Sequence, residues 1–162
     1  MAESGKSEGV PKETPQRNSL DQLQRELARA IPEAAARKFI ADLRGEGYFD
    51  KSLLEQKNAI VEKLAALPQR QSAMTALLGA ESDKIRSFAV SLSAEVLAKS
   101  PAKQLTLLYK AGALPGTWTQ ETAQTELKNL IHREGLSNIL PRIEGWAVDP
   151  KPEIRRMLIE AL

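Results

Sequence analysis

Large apolar residues recur along this sequence three and four positions apart, and no segment alternates apolar and polar residues with β-branched enrichment. A period near 3.6 winds an apolar stripe down one side of an α-helix. Leu20, Leu23 and Leu27 form the first stripe, behind a cap at Ser19 and ahead of Pro32. Pro32 suits the first turn of a second helix with Ala35, Ala36, Phe39, Ile40 and Leu43, which stops at Gly45-Glu46-Gly47. A third follows Asp50, with Ser52 and Glu55 at capping-box spacing, and carries Leu53, Ile60, Val61, Leu64 and Leu67 before Pro68.

The same grammar continues to the last residue. A short helix near Ser72 to Gly79 precedes one capped by Ser82 that shows Ile85, Phe88, Ala89, Leu92 and Val96. Ser100-Pro101 is a cap followed by proline at the first helical position, and that helix runs through Leu105, Leu108 and Tyr109 to Gly112. After a turn at Leu114-Pro115-Gly116-Thr117, Thr117 or Thr119 is expected to cap a helix bearing Ala123, Leu127, Leu130 and Ile131, which stops at Gly135. Ser137 opens the next, with Ile139, Leu140, Ile143 and Trp146; an Asp149-Pro150-Lys151-Pro152 corner leads to the last, which opens with Glu153-Ile154-Arg155. The expected fold is all-α, with about nine helices joined by short connections that force neighbours antiparallel. The stretch 1–18, rich in Ser, Glu, Lys, Pro and Gly, cannot bury enough apolar surface to offset its ordering entropy and is expected to be a disordered tail. Residues 19–162 form the helical domain. Ile154-Arg155 recurs as Ile85-Arg86, an offset of two units of about 35 residues, in the range of helical repeats, although the middle unit near Gln120 lacks the pair.

Composition narrows the chemistry. The absence of cysteine excludes disulfides and thiolate zinc sites, and a single histidine, His132, excludes a His pair; no metal and no cofactor is expected. Neither a membrane span nor a secretory signal is present, so the expected location is intracellular, cytoplasmic or nuclear. No phosphate-loop, dinucleotide, nucleophile-elbow or zinc-protease motif occurs, and no catalytic residue is assigned. Charge is balanced at 23 basic against 21 acidic residues; the one basic excess lies in residues 69–111, with Arg70, Lys84, Arg86, Lys99, Lys103 and Lys110. A bias of that size reads first as a solvated helix face, and second as a foothold for a polyanion.

Leu140-Pro141, then Asp149-Pro150, then Ile154-Arg155, then Ala161-Leu162 resembles the HEAT-repeat family, an armadillo-like class of α-solenoid built from stacked antiparallel hairpins. The resemblance implies that Asp149 and Arg155 belong to a side-chain ladder joining successive repeats. In the earlier unit the Asp position is Ala80, with Glu81 beside it. A narrower likeness joins Trp146-Ala147-Val148-Asp149-Pro150 and Arg155-Arg156 to the HEAT-like alkylpurine DNA glycosylases. It implies base contacts at Trp146 and Asp149, with phosphate contacts at Lys84, Arg86, Lys103, Arg155 and Arg156. The residues themselves favour blander roles: Trp146 shares a face with Ile139 and Ile143 and reads as core, Trp118 reads as a plug on a helix end, and His132 suits a helix C-terminus.

Met157, Leu158, Ile159, Ala161 and Leu162 carry apolar side chains into the last turn, where a finished solenoid usually turns polar. Two expectations follow: the chain is part of a longer array, or this edge docks on a partner or on itself. The leading expectation is a non-catalytic α-solenoid that binds a protein or peptide partner. The alternative is a nucleic-acid-binding protein of the glycosylase-like type, and an ordinary closed bundle would follow if the helices wrapped one shared core.

Overall fold

The computed structural model describes residues 15–43, 56–97 and 100–162. Among them are nine α-helices and no strand: α1 (Pro15–Leu27), α2 (Glu33–Leu43), α3 (Lys57–Ala66), α4 (Arg70–Leu78), α5 (Asp83–Val96), α6 (Pro101–Gly112), α7 (Thr117–Glu134), α8 (Leu136–Ile143) and α9 (Pro152–Ala161), with a 3-10 turn at Glu144–Val148 between the last two. The all-α expectation and the helix count hold. No described helix is long and apolar enough to cross a membrane. Helix α1 begins four residues before the expected Ser19 cap. The capping box at Ser52 and Glu55, the Gly45–Gly47 stop and the rest of the expected tail lie outside the described residues.

Local signals fix most boundaries. Ser82 accepts from the Ile85 amide and Ser100 from the Lys103 amide, both at 3.4 Å, so each hydroxyl satisfies a donor that the first turn leaves open. Pro101 and Pro152 occupy the opening turns of α6 and α9, where a missing N–H costs nothing. Gly135 ends α7 with φ of +88°, a conformation that glycine adopts without a Cβ penalty. Other boundaries differ from expectation: Pro32 precedes α2, which starts at Glu33, and α4 starts at Arg70 and not near Ser72. Helix α8 starts at Leu136, against Gly135, and gives way at Glu144 to the 3-10 turn that holds Trp146. Helix α7 has no side-chain cap of its own: its N-cap is Gly116, and neither Thr117 nor Thr119 fills that role.

Packing follows the hairpins. Helices α5 and α7 form the largest helix contact, α7 packs on α9, and α3 packs on α5, so α3, α5, α7 and α9 stand in one row. The intervening helices brace it: α4 lies against α3 and α5, α6 against α5, α7 and α9, and α8 against α7. Leu23, Leu64, Leu77, Ile85, Leu92, Leu108, Leu127, Ile143 and Leu158 belong to a single buried apolar cluster that runs through the stack. Helices α5, α7 and α9 begin at residues 83, 117 and 152, steps of 34 and 35 residues. The repeat suspected from Ile85-Arg86 and Ile154-Arg155 is therefore also a repeat of helix starts.

Candidate functional site

The fourth residue of each of these three helices does the same thing. Arg86 Nη1 donates to the Ala80 carbonyl at 2.7 Å, Gln120 Nε2 to the Leu114 carbonyl at 2.8 Å, and Arg155 Nη1 to the Asp149 carbonyl, each partner six residues upstream in the inter-helix corner. A long polar side chain in the first turn thus folds back and locks the corner that leads into its own helix. Arg86 goes further: Nη1 also meets the Glu81 carbonyl and Nη2 reaches the Pro115 carbonyl of the next hairpin, both at 2.8 Å. The middle unit keeps the contact with glutamine, which is why the sequence pair is missing there.

Asp83 makes the link between hairpins. Its Oδ2 accepts from the Trp118 amide at 3.1 Å, and its Oδ1 accepts from the Thr119 amide at 3.0 Å and the Thr119 hydroxyl at 2.5 Å. These are the second and third amides of α7, the donors that an N-cap side chain would satisfy. A carboxylate on α5 therefore caps α7 from outside its own chain segment, and it also faces the positive end of the α7 dipole. Burial raises the Asp83 pKa, but the Thr119 hydroxyl and amide, the Trp118 amide and Arg86 together hold it below the ordinary value. Gly116 makes room for this cap, since a Cβ there would lie 2.2 Å from Asp83 Oδ1. Ser87 and Thr122 add a hydroxyl pair at 2.7 Å across the same helices.

Asp149 sits in a different kind of cluster. Its Oδ2 accepts from the Tyr109 hydroxyl at 2.7 Å and its Oδ1 from the Lys151 amide at 2.9 Å. Those bonds, with the charges of Lys151 and Arg155, lower its pKa, and the same bond raises that of Tyr109. Lys151 Nζ stands 5.2 Å over the Tyr109 ring, and the Tyr109 and Trp146 rings lie 5.4 Å apart, tilted. Trp146 is half-buried at the edge of the core rather than inside it, and with Tyr109, Lys110 and Arg142 it lines a cleft of about 360 Å³ between α6 and α8. Arg155 meets Asp149 through the Asp149 main-chain carbonyl, inside a single corner, and not through its carboxylate.

The candidate phosphate contacts do not converge. Arg86 is buried with its guanidinium on three carbonyls, so it is not a surface cation; this corrects its assignment as a phosphate ligand. Arg155 is half-buried on its own corner. Lys84 stands exposed on α5, and Arg156 faces a groove between α7 and α9 beside Glu121 and Glu153. Lys103 and Arg70 line a separate depression with Glu95, and Lys110 belongs to the α6 cleft. Lys99 lies outside the described residues.

In the register of the helix starts, Lys84, Trp118 and Glu153 stand exposed at one position of α5, α7 and α9, and Glu121 and Arg156 stand exposed at another, where α5 carries the half-buried Ser87. Trp118 is 57% exposed in this row and plugs nothing, which overturns its reading as a helix-end plug. Its backbone amide is held by Asp83 while its indole projects outward. No group of His, Cys, Asp and Glu among the described residues could hold a metal ion. His132 is exposed in the last turn of α7, where a cation suits the dipole. Comparison with protein-family models, with curated proteins and with solved structures finds no match.

Proposed function

We propose that this chain is a HEAT-like helical-repeat module that binds a protein partner and catalyses no reaction. The observation that carries the reading is the row of outward positions on α5, α7 and α9, which sets Trp118 among Lys84, Glu121, Glu153 and Arg156. A large exposed indole within a rim of both charge signs has the make-up of a protein contact, where tryptophan anchors and mixed polar groups orient. A phosphate-tracking surface would instead gather one sign of charge. The Asp83 and Arg86 links give this row a preorganised backbone on which such a surface can sit.

A second reading, nucleic-acid binding of the glycosylase-like kind, draws support from the cleft where Trp146 and Tyr109 stand beside Lys110 and Arg142. Aromatic faces next to cations suit an unstacked base and its phosphate. Binding to fluorescent duplex DNA, with and without an alkylated base, over a salt series separates the two. The module reading expects weak, lesion-blind binding. Tight, salt-sensitive binding that prefers the lesion and is lost in Trp146→Ala would replace it with the second reading. In parallel, photo-cross-linking from position 118 in cell extract should trap a protein that Glu121→Arg no longer captures.

A further inference from the structure

The helices of the row and the helices that brace it differ in charge. Helices α5, α7 and α9 each carry at least two acidic residues, whereas α4, α6 and α8 carry none, and their charged side chains are all basic. A cleft of about 410 Å³ opens between α4 and α6, over Leu78, Gly79, Ala113 and Leu114, with Lys110 and Lys151 on its walls. The cleft between α6 and α8 adjoins it, since Tyr109 and Lys110 line both. Lys110, Arg142 and Lys151 are exposed in this groove. Among the described residues no carboxylate lines either cleft, and the ion pairs all lie elsewhere. The groove beside α9 differs, with Glu121 and Glu153 next to Arg156. Asp149 offsets part of the positive charge, but its two oxygens are engaged by the Tyr109 hydroxyl and the Lys151 amide. The neutral hydroxyls are engaged as well: Thr75 and Thr106 donate to the Gln71 and Ala102 carbonyls of their own helices, both at 3.0 Å. The side-chain polar groups left open are therefore donors, the three cations and the Trp146 N–H, around an aliphatic floor. A ligand that fits brings acceptors without donors, and apolar side chains for the clefts.

We infer that the groove formed by α4, α6 and α8 is a docking surface for an acidic peptide segment of a partner protein, whose carboxylates meet Lys110, Arg142 and Lys151 while its apolar side chains enter the two clefts. The inference rests on the protein-interaction reading and adds a second surface to it, with the chemistry of what binds there. Charge sign alone also suits a nucleic acid; the rest of the surface selects the peptide. A nucleobase presents donors as well as acceptors along its edges, and the described groove has no open side-chain acceptor to meet them. Stacking needs an open aromatic face, yet the Tyr109 ring is already engaged by the Trp146 ring and by Lys151 Nζ, and the floor of the α4 cleft is aliphatic. Three cations also fall short of the roughly 6–10 phosphate contacts of a protein that grips a duplex backbone.

Selection from a random peptide display library on the immobilised full chain tests this, with the enriched peptides then synthesised and titrated by fluorescence anisotropy at low salt. The expected result is a class of peptides that combines Asp or Glu with large apolar residues. Lys110→Glu, at the position that borders both clefts, and Arg142→Glu should each weaken that class by about tenfold or more, because repulsion replaces attraction. Serine in place of the apolar residues of the peptide should weaken it by a similar factor. Lys128→Glu makes the same change of net charge at an exposed position of α7 and should leave binding within about twofold, which separates the groove from a general charge effect. All three substituted side chains are exposed, so thermal unfolding of the variants should stay near that of the wild type. Failure to enrich acidic peptides overturns the inference, as does an acidic class indifferent to Lys110→Glu. So does a single-stranded oligothymidylate that binds more tightly than the peptides and is released by Lys110→Glu, the outcome that assigns the groove to nucleic acid. The cross-linking experiment at position 118 reads the row of α5, α7 and α9, so a failure in this groove leaves that reading standing.

Discussion

Replacing Asp83 with alanine removes a helix cap that the chain supplies across a hairpin boundary, and its cost can be built up from the structure. The carboxylate accepts from two amides in the first turn of α7 and from the buried Thr119 hydroxyl. Loss of a capping side chain costs about 0.5–2 kcal/mol. Loss of a negative charge at a helix N-terminus costs roughly 0.3–1 kcal/mol more. The Thr119 hydroxyl can turn to the Asp83 main-chain carbonyl, 3.3 Å away, so its desolvation penalty is largely avoided. The sum is about 1–3 kcal/mol. With a urea dependence of roughly 2 kcal/mol per molar, the unfolding midpoint should fall by about 0.5–1.5 M at neutral pH. Asp83→Asn keeps one acceptor and should lose about half as much. The pH profile supplies a separate check. A carboxylate held below its ordinary value stabilises the fold fully above its unfolded pKa of about 3.9, and that contribution disappears as pH falls through the lowered folded value. The gap between wild type and Asp83→Asn should therefore narrow below pH 4. A midpoint unchanged within error in Asp83→Ala would refute the trans-capping account of α7.

Gly116→Ala should destabilise by about 2–4 kcal/mol, since it meets both a positive φ and the Asp83 carboxylate; in a double-mutant cycle with Asp83→Ala, urea unfolding should show strong non-additivity because removing the carboxylate relieves the clash. Arg86→Met should lose about 3–5 kcal/mol in the same assay and Arg155→Met clearly less, because Arg86 binds three carbonyls in two hairpins and Arg155 binds only its own corner. Equal losses would mean that the link to Pro115 contributes nothing. Burial raises the pKa of Glu126, against the pull of Lys57 and Arg133, so the charged form is disfavoured in the folded chain and stability rises as pH falls through the raised value. Glu126→Gln should therefore raise the melting temperature at pH 7 and lose that advantage at pH 4, as followed by circular dichroism.

What could be read in the sequence was what is local. The caps at Ser82 and Ser100, the first-turn proline Pro101 and the stop at Gly135 each act within a few residues of themselves, so one-dimensional spacing carries them. The missed features are those whose partners stand 29 to 36 residues away. Thr117 and Thr119 resemble caps for α7, yet the carboxylate that does the capping comes from α5. Arg86 resembles a surface cation, yet its carbonyl partners include one from the next hairpin. Trp118 resembles a plug because it follows a Pro-Gly turn, but its position relative to α5 and α9 is set by a helix register that only the assembled row reveals. One signal was available: Gly116 just before a helix with no capping side chain of its own leaves a space that some other acceptor must fill.

That division also locates the functional information. Asp83 and Arg86 tie α5 to the start of α7 where Gly116 leaves room for them, and Gln120 and Arg155 each lock the corner that leads into their own helix. They determine where the outward side chains stand without contributing to any contact those side chains make. Trp118 is the clearest case, since Asp83 grips its amide and leaves its indole free at the centre of the row. A change at Asp83 should therefore affect both stability and partner binding, whereas Trp118→Ala, at an exposed position, should spare stability and affect binding alone. Measuring both quantities in the two variants distinguishes a scaffold that positions a binding surface from a fold whose exposed tryptophan is incidental.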